Sequence, residues 1–139
     1  MTLLAFDFGL ARTGIAIGNT LTNIATPLCV LKSRDEKPDW EGISKLIKEW
    51  QPKRLIVGIP SYLDGSKSEM TQRTERFCRQ LAGRYALPVE TVNEQLSSLE
   101  AKQRLKQTRQ KGRKKKITKG EIDKLAAAII LESWMQQNG

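Results

Sequence analysis

Three apolar runs crowd the first 31 residues, and the links between them are short. Leu3 to Phe8 is bounded by Gly9 and reads as a buried strand; Thr13 to Gly18 reads as a second and Ile24 to Leu31 as a third. A parallel crossover needs about a dozen residues or more, so these connections favour antiparallel hairpins.

Strands and helices then alternate. Asp39 can cap a helix from Trp40 to Trp50, with Trp40, Ile43, Ile47 and Trp50 on one face and Pro52 as its stop. Arg54 to Gly58 reads as a strand, followed by a loop to Gly65. Ser66 and Glu69 suit a capping box for a long helix ending near Tyr85, and Pro88 to Val92 reads as another strand. Ser97 with Glu100 suits a second box, with Leu96 and Ala101 as its hydrophobic staple. Thr118 with Glu121 suits a third, with Ile117 and Ile122 as staple. The last helix carries Ile122, Leu125, Ala126, Ile129, Ile130 and Trp134 on one stripe. The expected order is β-β-β-α-β-α-β-α-α, an α/β chain with a mixed sheet under helices. Its 139 residues suit one domain, with no internal repeat and no linker.

Composition excludes several chemistries. There is no histidine, so imidazole bases, Ser-His-Asp triads and histidine metal sites are out. Cys29 and Cys78 lie far apart and form no CxxC motif, which leaves them as ordinary buried thiols. No apolar run approaches the roughly 20 residues that span a bilayer, and the first residues lack the pattern of a signal peptide. A cytoplasmic protein with no membrane partner is expected.

Charge is concentrated in one place. Lys102 to Lys119 holds ten Lys or Arg and no acid, whereas the rest of the chain has 14 basic and 15 acidic residues. Such one-signed local charge suits a polyanion, with Lys111, Arg113, Lys114, Lys115, Lys116 and Lys119 as the nucleic-acid candidates. The alternative is a solvated loop, and residues 106–117 are expected to be a flexible excursion between two helices.

Three acids stand in awkward places. Asp7 interrupts an apolar strand and shares a face with Leu3 and Ala5, where an unpaired carboxylate loses hydration. Its structural alternative is a strand-end Asp bonded to the Gly9 turn. Glu94 follows a strand by two residues; by position alone, an exposed acid favoured by a helix dipole explains it better. Asp123 borders the buried stripe of the last helix, and its structural alternative is a pair with Lys119 or Lys124. Carboxylates at element ends suit hard cations such as Mg²⁺.

Four ordered motifs carry a resemblance. Leu4-Ala5-Phe6-Asp7-Phe8-Gly9 with Thr13 to Gly18, Ile56 to Pro60 with Asp64-Gly65, Asn93 to Ala101, and Lys119 to Asp123 with Ala126 to Leu131 together resemble the YqgF family. That family has the ribonuclease-H fold and is described both as pre-16S ribosomal RNA nucleases and as Holliday junction resolvases. The resemblance implies a mixed five-stranded sheet of three antiparallel hairpin strands plus two parallel ones. It implies Asp7, Glu94 and Asp123 as an acidic triad for Mg²⁺ or Mn²⁺, and a phosphodiester hydrolase. It also implies a Gly9 that lets backbone approach metal or phosphate, and a loop from Gly58 to Gly65 beside the site. Gln95 stands where the family usually has an Arg able to clamp phosphate, Tyr62 where it commonly has Asn, and Lys124 is also a departure.

The expected substrate is structured RNA, with maturation of the pre-16S 5′ end as the implied task. Branched DNA is the alternative, since paired cuts in a four-way junction need two active sites. The chain itself is expected to be a monomer or weak homodimer. A non-catalytic nucleic-acid module is a further alternative. Asp7 to Gly14 also resembles the phosphate loop of sugar kinases and actin-like ATPases, which need a second domain that 139 residues cannot supply.

Overall fold

The computed structural model describes residues 1–60, 67–93, 97–110 and 118–138, with the backbone alone for 97–99 and 108–110. Nine elements follow the expected order: β1 (Thr2–Phe8), β2 (Arg12–Asn19), β3 (Ile24–Lys32), α1 (Trp40–Trp50), β4 (Arg54–Ile59), α2 (Glu69–Tyr85), β5 (Val89–Asn93), α3 (Ser97–Gln110) and α4 (Lys119–Asn138). They build one sheet in the order β3-β2-β1-β4-β5. β1 pairs antiparallel with β2 and parallel with β4; β2 pairs antiparallel with β3, and β4 parallel with β5.

Alternation along the central strands divides the core in two. Leu4, Phe6, Ile15, Leu55 and Val57 face one side, where Ile43 of α1 and Phe77 and Leu81 of α2 cover them. Leu3, Ala5, Ala16 and Ile56 face the other, against Ala127, Ile130, Leu131 and Trp134 of α4. Burial on both faces explains why β1 and β4 read as nearly continuous apolar runs.

α4 differs from its expected single stripe. One face meets the sheet, and a second, formed by Ala126 and Ile129 with Ile122 and Leu125, meets Ala101 of α3. The helix is apolar nearly all round because it is sandwiched. Arg104 ties the outer pair together: its Nη1 and Nη2 donate to Glu132 of α4 at 3.2 and 3.0 Å, and Nη2 also donates to Glu100 at 2.9 Å.

Local signals mostly fall where expected. Asp39 caps α1 through its carboxylate and the Gly42 N–H, and Gln51 ends the helix in a left-handed conformation before Pro52. Trp50 leaves the expected apolar face of α1 and is 39% exposed, since it lies on the last turn. Thr118 caps α4, accepting the Glu121 N–H at 3.2 Å. The cap of α2 is displaced from the expected Ser66 to Ser68, in a reciprocal box with Thr71. Thr71 wins because its hydroxyl also donates to the Pro60 carbonyl, tying the helix start to the end of β4. Glu69, released from that role, pairs with Arg73 one turn on. Ser66, Leu96 and Ile117 lie outside the described residues.

The basic run is partly helical. α3 continues to Gln110, so residues 106–110 of the expected flexible excursion are helix, and 111–117 lie outside the described residues. Among the described residues no helix is long and apolar enough to cross a membrane.

Candidate active site

Asp7 is the penultimate residue of β1, and its register partner in β2 is Gly14. Alternation places both on the face that α4 covers. Gly14 lies directly against the start of that helix. A Cβ built there would overlap the backbone carbonyl of Asp123 and stand 2.9 Å from the Lys124 nitrogen. The missing side chain therefore lets α4 settle onto the strand. Partners across an antiparallel pair lie about 5 Å apart, so this approach brings Asp123 to the same end and face of the sheet as Asp7.

The end of β1 is held from the other face. Phe8 stacks on Phe77 at 4.6 Å between ring centroids, Phe77 stacks on Trp40 at 5.6 Å, and Phe6 meets Phe77 edge-on at 5.7 Å. Such aromatic packing adds to burial and fixes the backbone that carries Asp7. Gly9 serves the β1–β2 turn itself: a Cβ there would lie 2.7 Å from the Arg12 carbonyl oxygen.

Asp123 is paired, but not with a lysine. Its Oδ2 accepts the Arg12 Nε–H at 2.6 Å, with Asp123 21% and Arg12 32% exposed. Lys119 is exposed at the start of α4 instead. Arg12 opens β2, two residues before Gly14 and on the same face. Local sequence could not name it, because the partners are 111 residues apart. The signal that could have found it is the isolated Gly14, a mark of close backbone approach two positions along the strand.

Glu94 lies outside the described residues; the chain reaches it from Asn93, the last residue of β5, which pairs with Ile59 at the end of β4. Lys111, Arg113, Lys114, Lys115 and Lys116 also lie outside them. Among the described residues no group of three Asp, Glu, Cys or His could hold a metal ion. On the opposite face, a cleft of about 540 Å³ between α2 and β5 is lined by Lys67, Arg79, Thr91 and Asn93, with Lys67 tied to Glu75 at 3.1 Å.

The two cysteines are free and half-buried rather than fully buried. Desolvation pushes the Cys78 thiol up to about 11, with Glu75 adding to it, and raises Cys29 as well. Both are held as neutral thiols, unsuited to nucleophilic chemistry.

Comparison with known proteins places this arrangement. The sequence profile of the RuvX family, described as Holliday junction resolvase, matches residues 1–137. The chain belongs to the RuvX family. RuvX relatives include a protein of Azotobacter vinelandii, 44% identical over 97% of this chain and 93% of its own length, and one of Hydrogenovibrio crunogenus, 46% identical over 96% and 92%. Both carry the description "Putative pre-16S rRNA nuclease". Among solved structures, the Fowlpox virus resolvase with Holliday junction DNA aligns at a TM-score of 0.61 and 16% identity, covering 99% of each chain. RuvC of T. thermophilus with its junction substrate aligns at 0.58 and 15%, covering 99% of this chain and 95% of that one. At such identities the likeness is one of fold alone.

Proposed function

We propose that this chain is a metal-dependent endonuclease that processes the 5′ end of pre-16S ribosomal RNA in the cytoplasm. The observation that carries the reading is the convergence of Asp7 and Asp123 at Gly14, on a RuvX chain whose relatives are described as nucleases of that RNA. Asp7, Asp123 and Glu94 would hold Mg²⁺ or Mn²⁺. The described pair fits such an ion: both are hard oxygen donors, and Arg12 engages Asp123 at one oxygen only. When bound, a divalent ion lowers the pKa of an attacking water and neutralises phosphate charge. Asp7 and Asp123 would hold it from a strand end and a helix start that the core keeps in place. Lys111, Arg113, Lys114, Lys115, Lys116 and Lys119 would grip the nucleic-acid backbone.

Branched DNA is the second reading, favoured by the family's description as a resolvase. It requires two active sites acting together, whereas the RNA reading suits a monomer or weak homodimer. A cleavage panel separates them: pre-16S leader RNA, duplex RNA, single strands and a four-way DNA junction, each with Mg²⁺ and Mn²⁺. Cutting confined to the leader RNA and lost in Asp7→Asn supports the first reading. Symmetric junction cuts by a dimer support the second. A carefully purified Asp7→Asn protein that still cuts would sink the acid site.

A further inference from the structure

Two arginines in this molecule meet carboxylates in different ways. Arg104 turns its terminal fork on Glu132, each Nη donating to one carboxylate oxygen. This is the bidentate geometry of a structural tie, and it engages both Nη atoms of the fork. Arg12 approaches Asp123 through Nε alone, to a single oxygen. A guanidinium has five N–H donors, so the four on Nη1 and Nη2 remain, two of them pointing out along the Nη1–Nη2 edge. Among the described residues that edge has no hydrogen-bond partner.

The position of Arg12 matters as much as its geometry. It stands one step beyond the last β1–β2 register pair, Phe8 with Thr13, and so at the rim of the sheet. It shares the α4 face with Gly14, opposite which lies Asp7. It is about one-third exposed, so a polyanion can reach it without the fold opening. A forked pair of donors beside two acids suits a phosphate, since planar bidentate recognition is what guanidinium does better than ammonium.

We infer that Arg12 is a substrate-binding residue: Nε fixes the Asp123 carboxylate while the Nη edge grips the phosphate being presented to the acids. The inference rests on the nuclease reading in taking the anion to be the phosphate that is cut; the grip itself does not depend on metal.

The test therefore measures binding before cleavage. The probe is a fluorescently labelled RNA hairpin carrying the 16S leader, titrated in EDTA at several salt concentrations against wild type, Arg12→Gln and Arg12→Lys. Thermal melts establish that each variant is folded. Without its charge-assisted grip on one phosphate, Arg12→Gln should bind about tenfold more weakly. The slope of log affinity against log salt should fall by about one, as expected for one phosphate. Arg12→Lys, a point charge without the fork, should recover the slope but not the affinity. Unchanged affinity and slope in Arg12→Gln would reduce Arg12 to a structural tie and overturn the inference; full recovery in Arg12→Lys would overturn the fork. A parallel Mn²⁺ titration by calorimetry keeps the two readings apart. If the wild type takes up no Mn²⁺ while Arg12→Gln still binds RNA more weakly, the metal reading falls and the Arg12 grip stands.

Discussion

Gly14 of β2 and Asp123 of α4 meet backbone to backbone, and that meeting sets where the acid of the last helix stands relative to the sheet. A β-carbon at Gly14 collides with main-chain atoms, which cannot swing aside as a side chain can. Gly14→Ala should destabilise the protein by about 1–3 kcal/mol or more, the range for overpacking. Gly18→Ala, on the same face of β2, meets the Leu131 side chain, which can move, at 2.7 Å and the Ile24 carbonyl at 2.9 Å, and should cost less because its main-chain overlap is far smaller than the 2.1 Å approach to Asp123. Urea denaturation of both variants checks the order; equal destabilisation would show that α4 shifts freely over Gly14.

Removing the basic run should act on binding alone. With Arg113, Lys114, Lys115 and Lys116 replaced by Ala, the midpoint of thermal unfolding should stay within a few degrees. Affinity for RNA should fall, and its salt slope should flatten by about 0.7–0.9 for each phosphate that is no longer neutralised. Filter binding across a salt series reads it, and an unaltered slope would make the run a bystander.

Cys78 gives a pH prediction. Burial lifts its pKa from 9.0 to about 11, so the native state keeps its proton after the unfolded chain has lost its own. The unfolded state then binds fewer protons, and stability must fall as pH rises. The contribution is fully present below pH 9 and lost through about pH 11. Denaturant melts at pH 8, 9, 10 and 11 should show the decline, and Cys78→Ser should flatten it. Iodoacetamide at pH 8 should label Cys78 slowly in the native protein and quickly in urea.

The turn before α1 holds two successive left-handed residues, Asp35 at φ 49° and Glu36 at φ 63°, closed by hydrogen bonds between Arg34 and Lys37. For a side chain such as Glu this backbone costs about 1–2 kcal/mol. The Arg73–Glu36 ion pair that accompanies it is 40% and 60% exposed, and such pairs add little to stability. Glu36→Gly should thus raise stability by about 0.5 kcal/mol despite removing the pair. A lowered melting temperature would mean that Arg73 holds this turn more tightly than an exposed pair should.

The elements were legible because their signals are local: apolar runs, caps and breakers within a few residues of one another. Where two local signals competed, sequence could not choose. Ser66 with Glu69 and Ser68 with Thr71 both satisfy the spacing of a capping box, and the Pro60 carbonyl decided between them from eleven residues away. The same holds for the site. Asp7 stood out as an acid in an apolar strand, and Asp123 as an acid beside a buried stripe. Their shared neighbourhood depends on Gly14, and Asp123 takes Arg12 as its partner, meetings made only when β2 packs against α4. The single stripe read for α4 was two faces, because periodicity shows which residues are apolar and not how many partners surround them.

The sandwiching of α4 has a consequence for how the molecule breathes. Amides from Ala126 to Leu131 are enclosed between sheet and α3, so their exchange with deuterated water should require global unfolding. α3 is the outer layer and leans on α4 from one side, with Ala101 and the Arg104–Glu132 clamp as its described anchors. Amides of α3, held from one side only, should therefore exchange sooner than those of α4.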